Sequence, residues 1–277
     1  MRPPTGYSGE RVGGDGAPRW LLLHGLTGEG ADWRLWPRDA PPALALDLPG
    51  HGGSPAPAAD FGDEIARLLS ALPASVDHLA GYSLGGRVAL SLIAAAPRRF
   101  RAAIILSAHP GLMDAAARDA RRAADRRWIA LLQTAGIEAF VDAWQAQALF
   151  ATQQRLPASV RRAQRQRRLA QDADALARSL ACFGLAEMPD TRQALAHWPG
   201  RLDWIVGGAD RKFATLAREV QTRRPDTRLH VLPGIGHNPL LEAPRQLTTL
   251  IMSLAIPMIK TYKIAKIDQL PRPHRGP

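Results

Sequence analysis

The sequence predicts an α/β fold in which a mostly parallel sheet is flanked by helices and carries an inserted helical cap. Short apolar runs alternate with longer stretches of helical periodicity, and Gly, Pro or Asp bounds each run. Residues 111–195 interrupt this alternation with apolar residues at helical spacing and no convincing strand. The chain has 277 residues and is 46% hydrophobic, which is enough to bury the core of one large domain.

The apolar runs predict buried strands at Trp20–Leu23, Ala43–Leu46, His78–Ala80, Ala102–Leu106, Leu202–Val206 and Leu229–Leu232. Helical periodicity predicts helices at Phe61–Leu72, Leu84–Ala96, Phe213–Arg223 and Ala243–Leu254. Strands that alternate with helices in this way form a parallel sheet that is covered on both faces. Such sheets bind ligands at the carboxyl ends of their strands, so we expect the functional loops there.

The same pattern divides the chain into three parts. Residues 1–110 and 196–256 form the predicted core, and residues 111–195 form a cap over the strand ends. Residues 257–277 hold three of the four lysines and end in Pro and Gly, so we expect a disordered C-terminal extension.

Composition limits the classes of partner. The net charge is +11, which indicates either a solvated arginine-rich surface or a field that attracts anions. No nucleic-acid-binding motif accompanies the charge, so we expect no nucleic-acid partner. Cys182 is the only cysteine, and no apolar run reaches the roughly 18–20 residues of a membrane helix. We therefore expect a cytoplasmic monomer without membrane insertion, metal ion or cofactor.

A serine flanked by glycines follows the third predicted strand. Gly81-Tyr82-Ser83-Leu84-Gly85 lies where that strand meets a helix, which is the context of a nucleophile elbow. The alternative is an ordinary tight turn. Small flanking residues allow the sharp turn, and the helix N-terminus favours negative charge near the serine.

A serine hydroxyl needs a base, and the base needs an acid to orient it. Asp210 follows the strand at Leu202–Val206, and His237 follows the last strand, so both fall at the edge that holds Ser83. The order serine, acid, histidine is the one this arrangement uses. The competing residues are histidines and acids near other strands: His24, His51, His109, Asp203 and Asp226.

The loop after the first strand supplies a candidate oxyanion hole. The backbone amide of Leu26, in His24-Gly25-Leu26, can act together with the amide of Leu84. His24 is expected to shape this loop, and Leu48–Ser54 after the second strand is interpreted as structural.

Several motifs together resemble one branch of the α/β-hydrolase fold, the MenH family of 2-succinyl-6-hydroxy-2,4-cyclohexadiene-1-carboxylate synthases. The resemblance spans roughly residues 19–256. The motifs are D-L-P-G-H-G-G-S, G-Y-S-L-G-G-R, H-P-G-L, R-D-A-R-R-A-A-D-R-R-W, F-V-D-A-W-Q-A-Q-A-L-F, G-A-D-R-K-F and G-I-G-H-N.

The resemblance implies three arginines that bind substrate carboxylates. Arg87 matches the first, and Arg121 matches the second, with Arg122 as its neighbour in register. The third is Arg168 when counted back from Met188-Pro189-Asp190, or Arg165 when counted forward from Phe150. Two aromatic pocket residues are also implied, Tyr82 and Trp144, although Trp144 can equally belong to the cap core.

The resemblance also implies the reaction. A family member removes a ring proton from 2-succinyl-5-enolpyruvyl-6-hydroxy-3-cyclohexene-1-carboxylate, a tricarboxylate, and expels pyruvate in menaquinone biosynthesis. On this interpretation Ser83 is a general base rather than a nucleophile. The alternatives are a carboxylesterase or carbon–carbon bond hydrolase with the same triad, and an inactive binding protein on this fold.

Overall fold

The computed structural model describes the backbone of residues 6–267 and the side chains of residues 6–255. The strands are β1 (Gly9–Val12), β2 (Trp20–Leu23), β3 (Ala43–Leu46), β4 (His78–Tyr82), β5 (Ala102–Leu106), β6 (Arg201–Gly207) and β7 (Arg228–Leu232). The helices are α1 (Phe61–Ala71), α2 (Leu84–Ala95), α3 (Ala115–Gln145), α4 (Ala158–Leu169), α5 (Ala173–Phe183), α6 (Arg192–His197), α7 (Arg211–Arg223), α8 (Pro239–Glu242) and α9 (Pro244–Ile267). Short 3₁₀ helices cover Gly30–Trp33 and Ala148–Arg155.

Within the described residues the strands form one seven-stranded sheet in the order β1-β3-β2-β4-β5-β6-β7. Every neighbouring pair is parallel except β1 and β3, which are antiparallel. The predicted mostly parallel fold is therefore confirmed. The edge strand β1 was not predicted, because Gly-Glu-Arg-Val carries no apolar run.

The parallel strands are apolar on both faces because helices cover both sides of the sheet. One face packs Leu21, Leu79 and Ile105 against α1, α2 and neighbouring helices. The other face packs Leu22 and Ile104 with α9 and the segment around the first 3₁₀ helix. This central position of β4 between two covered faces places its carboxyl end, and hence Ser83, in the middle of one sheet edge.

All regular elements described between β5 and β6 are helices, as the sequence predicts for residues 111–195. It has its own apolar cluster, in which Leu132 and Phe140 of α3 pack on Leu176 of α5. Gly136 interrupts α3 with a φ of +78°, a conformation that favours glycine.

The exact division of core and cap stays a prediction. α6 crosses the proposed boundary at residue 195, and its Leu195 packs into the main core cluster. α9 continues to Ile267, past residue 257, where the sequence predicts a disordered extension. The segment from Met258 to Ile267 contains no glycine or proline and is rich in residues that helices accept. The rest of the predicted extension, residues 268–277, lies outside the described residues.

Candidate active site

Ser83 lies on a sharp turn between β4 and α2. Its φ of 51° and ψ of −107° are rarely adopted by residues other than glycine. Glycine is required on both sides, because a Cβ on Gly81 would collide with the Gly85 carbonyl and one on Gly85 with the Leu23 carbonyl. The Ser83 amide donates to the Leu106 carbonyl at 2.9 Å, which ties the turn to β5. The local geometry is that of a nucleophile elbow.

Ser83, His237 and Asp210 form one hydrogen-bonded chain. His237 Nδ1 is 2.7 Å from Asp210 Oδ2, and His237 Nε2 is 3.1 Å from Ser83 Oγ. The carboxylate can only accept, so Nδ1 carries the proton and Nε2 is free to accept from the serine hydroxyl. Asp210 also caps α7, since its other oxygen accepts from the Phe213 amide. Both His237 and Asp210 are buried.

His109 lines the same cavity but forms no hydrogen bond with Ser83 or Asp210, and the other competing histidines and acids are engaged elsewhere. His24 Nε2 accepts from the Leu48 amide at 2.9 Å, and its Nδ1 lies 2.7 Å from the Gly25 carbonyl, so His24 shapes the loop as expected. His51 packs against His24 with ring centroids 4.9 Å apart. Asp203 is paired with Arg201 and His230. Asp226 is paired with Arg224.

Leu26 and Leu84, whose amides are the predicted oxyanion-hole donors, both line the cavity above Ser83. Neither donates a hydrogen bond to another described residue. The Gly85 amide donates to the His24 carbonyl at 2.9 Å and holds the two segments together. Two free amides beside the serine have the arrangement of an oxyanion hole.

The cavity has a volume of about 450 Å³ and lies between the sheet edge and the cap. Its wall includes Ser83 and His237 together with Arg87, Arg121 and Arg168. A fourth arginine, Arg167, also lines the cavity and lies 3.8 Å from Asp32 Oδ1. A cavity of this size accommodates a small molecule and combines the Ser83 hydroxyl with several guanidinium groups.

The alternative arginines that the sequence left open lie in different surroundings. Arg168 is buried, and its Nη1 has no hydrogen-bond partner among the described residues. Arg165 instead forms exposed ion pairs with Glu138 and Asp142. Arg122 likewise pairs with Glu187 outside the cavity, whereas Arg121 lines it.

Burial lowers the pKa of two of the cavity arginines, Arg87 and Arg168. Removal from water lowers the pKa of Arg87, and the neighbouring Arg121 lowers this pKa further. Burial also lowers the pKa of Arg168. The pKa of Arg87 falls to about 9, which is still above neutral pH, so this buried guanidinium remains charged there. Such cations gain most from an anionic ligand that replaces the lost water.

Tyr82 and Trp144 both line the cavity. Tyr82 is buried, which raises the pKa of its phenol, and its ring centroid is 5.6 Å from that of His237. Trp144 stacks on Phe140 at 5.5 Å and also touches Phe150, so it belongs to the cap core as well as to the cavity wall.

The sequence did not single out every residue around the cavity. Asp125 is buried and forms an ion pair with Arg121 at 2.9 Å. It lies within the motif R-D-A-R-R-A-A-D-R-R-W, but the sequence alone indicated no role of its own for it. Phe150 also lines the cavity, and so does His109, which the sequence suggested only as a rival to His237 for the role of base. Gln171 joins the cap to the core, because it accepts from the Gly52 amide at 3.0 Å. Asp125 sits four residues after Arg121, a spacing that favours an ion pair on a helix.

The described residues contain no group of three or more His, Cys, Asp and Glu side chains arranged to hold a metal ion. Among those residues, no helix combines the length and apolar character that a membrane crossing requires.

The fold and the serine–histidine–aspartate site define the class of protein. A sequence profile described as "Alpha/beta hydrolase family" matches residues 20–249, and the chain belongs to this family. The chain is 34% identical over 240 residues to a 2-succinyl-6-hydroxy-2,4-cyclohexadiene-1-carboxylate synthase of Enterobacter sp. (strain 638). That match covers 84% of this chain and 90% of the relative. Within the hydrolase fold the chain is a member of the MenH family of such synthases, which confirms the resemblance.

Other relatives agree with this assignment. A synthase of the same name from Salmonella agona (strain SL483) is 35% identical over 239 residues, covering 84% of this chain and 91% of that protein. The structure of MenH from S. aureus superposes with a TM-score of 0.83 at 26% identity, covering 92% of this chain and 99% of that one. A carboxylesterase of Nitrososphaera gargenis, at 21% identity, has a TM-score of 0.76, covers 94% of this chain and 99% of its own, and shares the fold alone.

Proposed function

We infer that this enzyme is a carbon–oxygen lyase of menaquinone biosynthesis. It eliminates pyruvate from 2-succinyl-5-enolpyruvyl-6-hydroxy-3-cyclohexene-1-carboxylate and releases 2-succinyl-6-hydroxy-2,4-cyclohexadiene-1-carboxylate. The curated relatives that carry the synthase name support this inference over most of the chain. The observation that carries it is that Arg168, buried and without a partner at Nη1, lines the same cavity as Ser83.

The first step is binding of the tricarboxylate. Arg87, Arg121 and Arg168 bind its carboxylates, and Tyr82 and Trp144 contribute to the aromatic part of the wall. Guanidinium groups suit this role because they stay charged and can donate two parallel hydrogen bonds to one carboxylate. The cost of burying each cation is offset when a carboxylate takes the place of water.

The second step is removal of the ring proton beside the succinyl ketone. Ser83 acts as the general base, and its own proton passes to His237 Nε2 at 3.1 Å. Asp210 stabilises the imidazolium that forms, through its hydrogen bond to His237 Nδ1. The ketone oxygen then carries the negative charge of an enolate, and the amides of Leu26 and Leu84 donate to it. Each such donor contributes about 3–4 kcal/mol in related sites.

The third step expels the leaving group. Electrons of the enolate re-form the ketone, shift the ring alkene and break the bond between the ring and the enolpyruvyl oxygen. The pyruvate enolate takes up one proton and leaves as pyruvate, so protons balance over the cycle. No water is consumed and no acyl-enzyme forms, which distinguishes this use of the triad from ester hydrolysis.

The test is to incubate the purified enzyme with the enolpyruvyl substrate and to follow pyruvate with a coupled dehydrogenase. A panel of p-nitrophenyl esters serves as the comparison. We expect rapid pyruvate formation and slow or absent ester cleavage. Rapid ester cleavage without pyruvate would instead identify a carboxylesterase.

We also propose that the enzyme is a cytoplasmic monomer that binds neither nucleic acid nor a membrane surface. A single cysteine is consistent with a reducing compartment. Part of the positive charge lies on arginines of the substrate cavity, which leaves less of it to attract nucleic acid. Light scattering of the purified enzyme tests the oligomeric state, and a gel shift at varied salt tests nucleic-acid binding.

A further inference from the structure

His109 is a cavity residue to which the mechanism above assigns no role. It follows β5, whose neighbours β4 and β6 lead to Ser83 and Asp210. Its side chain is 7% exposed, and the exposed part faces the same cavity as the three arginines.

The loop that carries His109 is held rigidly against the end of the cap. The amide and hydroxyl of Thr191 both donate to the Pro110 carbonyl at 2.8 Å. Arg192 Nη1 donates to the Gly111 carbonyl at 2.8 Å. Gly111 has a φ of +110°, and a Cβ there would collide with the backbone of Pro189 and Asp190.

This rigid loop determines which nitrogen of His109 carries the proton. The Gly111 amide donates to His109 Nδ1 at 3.1 Å. An amide only donates, so Nδ1 is the unprotonated acceptor and Nε2 carries the hydrogen. Nε2 has no hydrogen-bond partner among the described residues and is not closed off from the cavity.

His109 also remains uncharged. Burial is the main cause that lowers its pKa to about 3, and the nearby cations Arg192, Lys212, Arg87 and Arg121 lower it further. The ring is therefore a neutral donor among cations. It can bind an oxygen without adding to the repulsion between the guanidinium groups.

We propose that the Nε2–H of His109 donates a hydrogen bond to a substrate carboxylate that Arg87 and Arg121 bind, and so helps to select and position the substrate. Both arginines line the cavity beside it, and the fixed Nδ1 contact leaves only the donating nitrogen for the ligand. This inference depends on the proposed function, since it names the substrate of the same site.

The kinetic test compares three variants in the pyruvate assay. His109→Leu removes the donor, His109→Gln keeps an N–H near the position of Nε2, and His197→Leu replaces an exposed histidine as the control. We expect His109→Leu to raise KM about 10-fold, the size of one lost hydrogen bond, with a smaller change in kcat. His109→Gln should restore most of the affinity, and His197→Leu should behave as the wild type.

A second measurement does not depend on how the variants fold. ¹⁵N NMR of the histidine-labelled wild type reads the protonated ring nitrogen directly, with 2-succinylbenzoate as a probe that carries two of the carboxylates. We expect a protonated Nε2 in His109 whose resonance shifts when the probe binds.

Protonation at Nδ1, or a KM for His109→Leu within about twofold of wild type, would overturn the inference. In either case the wild type would still release pyruvate. A wild type that forms no pyruvate would instead overturn the proposed function itself.

Discussion

At the scale of single residues, the proposed mechanism assigns proton transfer and substrate binding to different side chains. Ser83, His237 and Asp210 move a proton along one chain of hydrogen bonds. Arg168 takes no part in that chain; it lines the cavity, and its buried Nη1 has no hydrogen-bond partner among the described residues. Variants of the two groups should therefore affect different kinetic constants.

Replacement of Ser83 by Ala should abolish turnover and leave binding almost unchanged. The variant loses the hydroxyl that is hydrogen-bonded to His237 Nε2, so kcat should fall by about 10³-fold or more. Calorimetry with 2-succinylbenzoate should give a Kd close to that of wild type. A Kd that rose as far as kcat fell would contradict a purely chemical role for the hydroxyl.

Replacement of Arg168 by Ala should weaken binding, because a buried charge-assisted hydrogen bond is lost. We expect KM for the tricarboxylate to rise by about 10- to 100-fold. Arg165→Ala is the matched control, since Arg165 is three residues away on α4 and forms only exposed ion pairs. Steady-state kinetics of both variants decide the matter, and equal effects would mean that the assignment to Arg168 is wrong.

The sequence was sufficient to predict the positions of the three triad residues but not to choose between two candidate arginines. Ser83, Asp210 and His237 could be placed because each follows a strand of one parallel sheet, whose carboxyl ends share an edge. Arg168 and Arg165 could not be separated, because residues three apart lie on nearly the same side of a helix. Only the packing of α4 within the cap buries Arg168 and leaves Arg165 half-buried in ion pairs at the surface.

At the scale of elements, the short helix α8 fixes the loop of the catalytic histidine. Glu242 accepts hydrogen bonds from the amides of Gly236 and Asn238, at 2.8 and 3.1 Å. These two residues flank His237, so one carboxylate holds both sides of the loop. The contact joins α8 to the loop after β7 and was not evident from the sequence pattern.

We expect Glu242→Ala to lower kcat about 10-fold, because a small displacement of His237 misaligns the proton transfer. KM should change little, since Glu242 lies apart from the three arginines. Glu219→Ala on α7 removes an exposed carboxylate and is the control. Unchanged kcat in Glu242→Ala would show that the loop keeps its position without this contact.

Secondary structure was predictable wherever one element buries a continuous apolar surface. β2 and β3 are four-residue runs of apolar residues that are buried throughout, and both were predicted at their observed bounds. β1 has only Val12 as a large apolar residue and forms through antiparallel pairing with β3. Its existence depends on a partner strand that local sequence does not reveal.

At the scale of the whole molecule, buried neutral histidines make the fold sensitive to acid. Burial lowers the pKa values of His24, His51 and His109, the last to about 3. The unfolded chain binds protons at these sites below about pH 6.5, whereas the native state does not. Their contribution to stability is therefore complete above that pH and is lost as pH falls through the native pKa values.

The free energy of unfolding, measured with urea, should accordingly decrease from about pH 7 to about pH 4. His109 alone accounts for roughly 3 kcal/mol of that decrease at about pH 4. His109→Gln cannot titrate, so its stability should fall less over the same range. An identical decrease in wild type and variant would show that His109 is not held neutral in the fold.

The arrangement of cap and core gives the cavity its character. The sheet edge supplies the triad and the free amides, and the helical insertion supplies Arg121, Arg168 and Trp144. Neither part alone contains both the base and the complete set of carboxylate ligands. On the proposed function, the hydrolase core serves a lyase because the insertion adds arginines that bind a highly charged substrate.

The most direct measurement is a crystal structure of the Ser83→Ala variant soaked with the enolpyruvyl substrate. We predict carboxylate oxygens within hydrogen-bonding distance of Arg87, Arg121 and Arg168, and the succinyl ketone oxygen between the amides of Leu26 and Leu84. Carboxylates that bind outside the cavity, with the three guanidinium groups left unoccupied, would contradict the account.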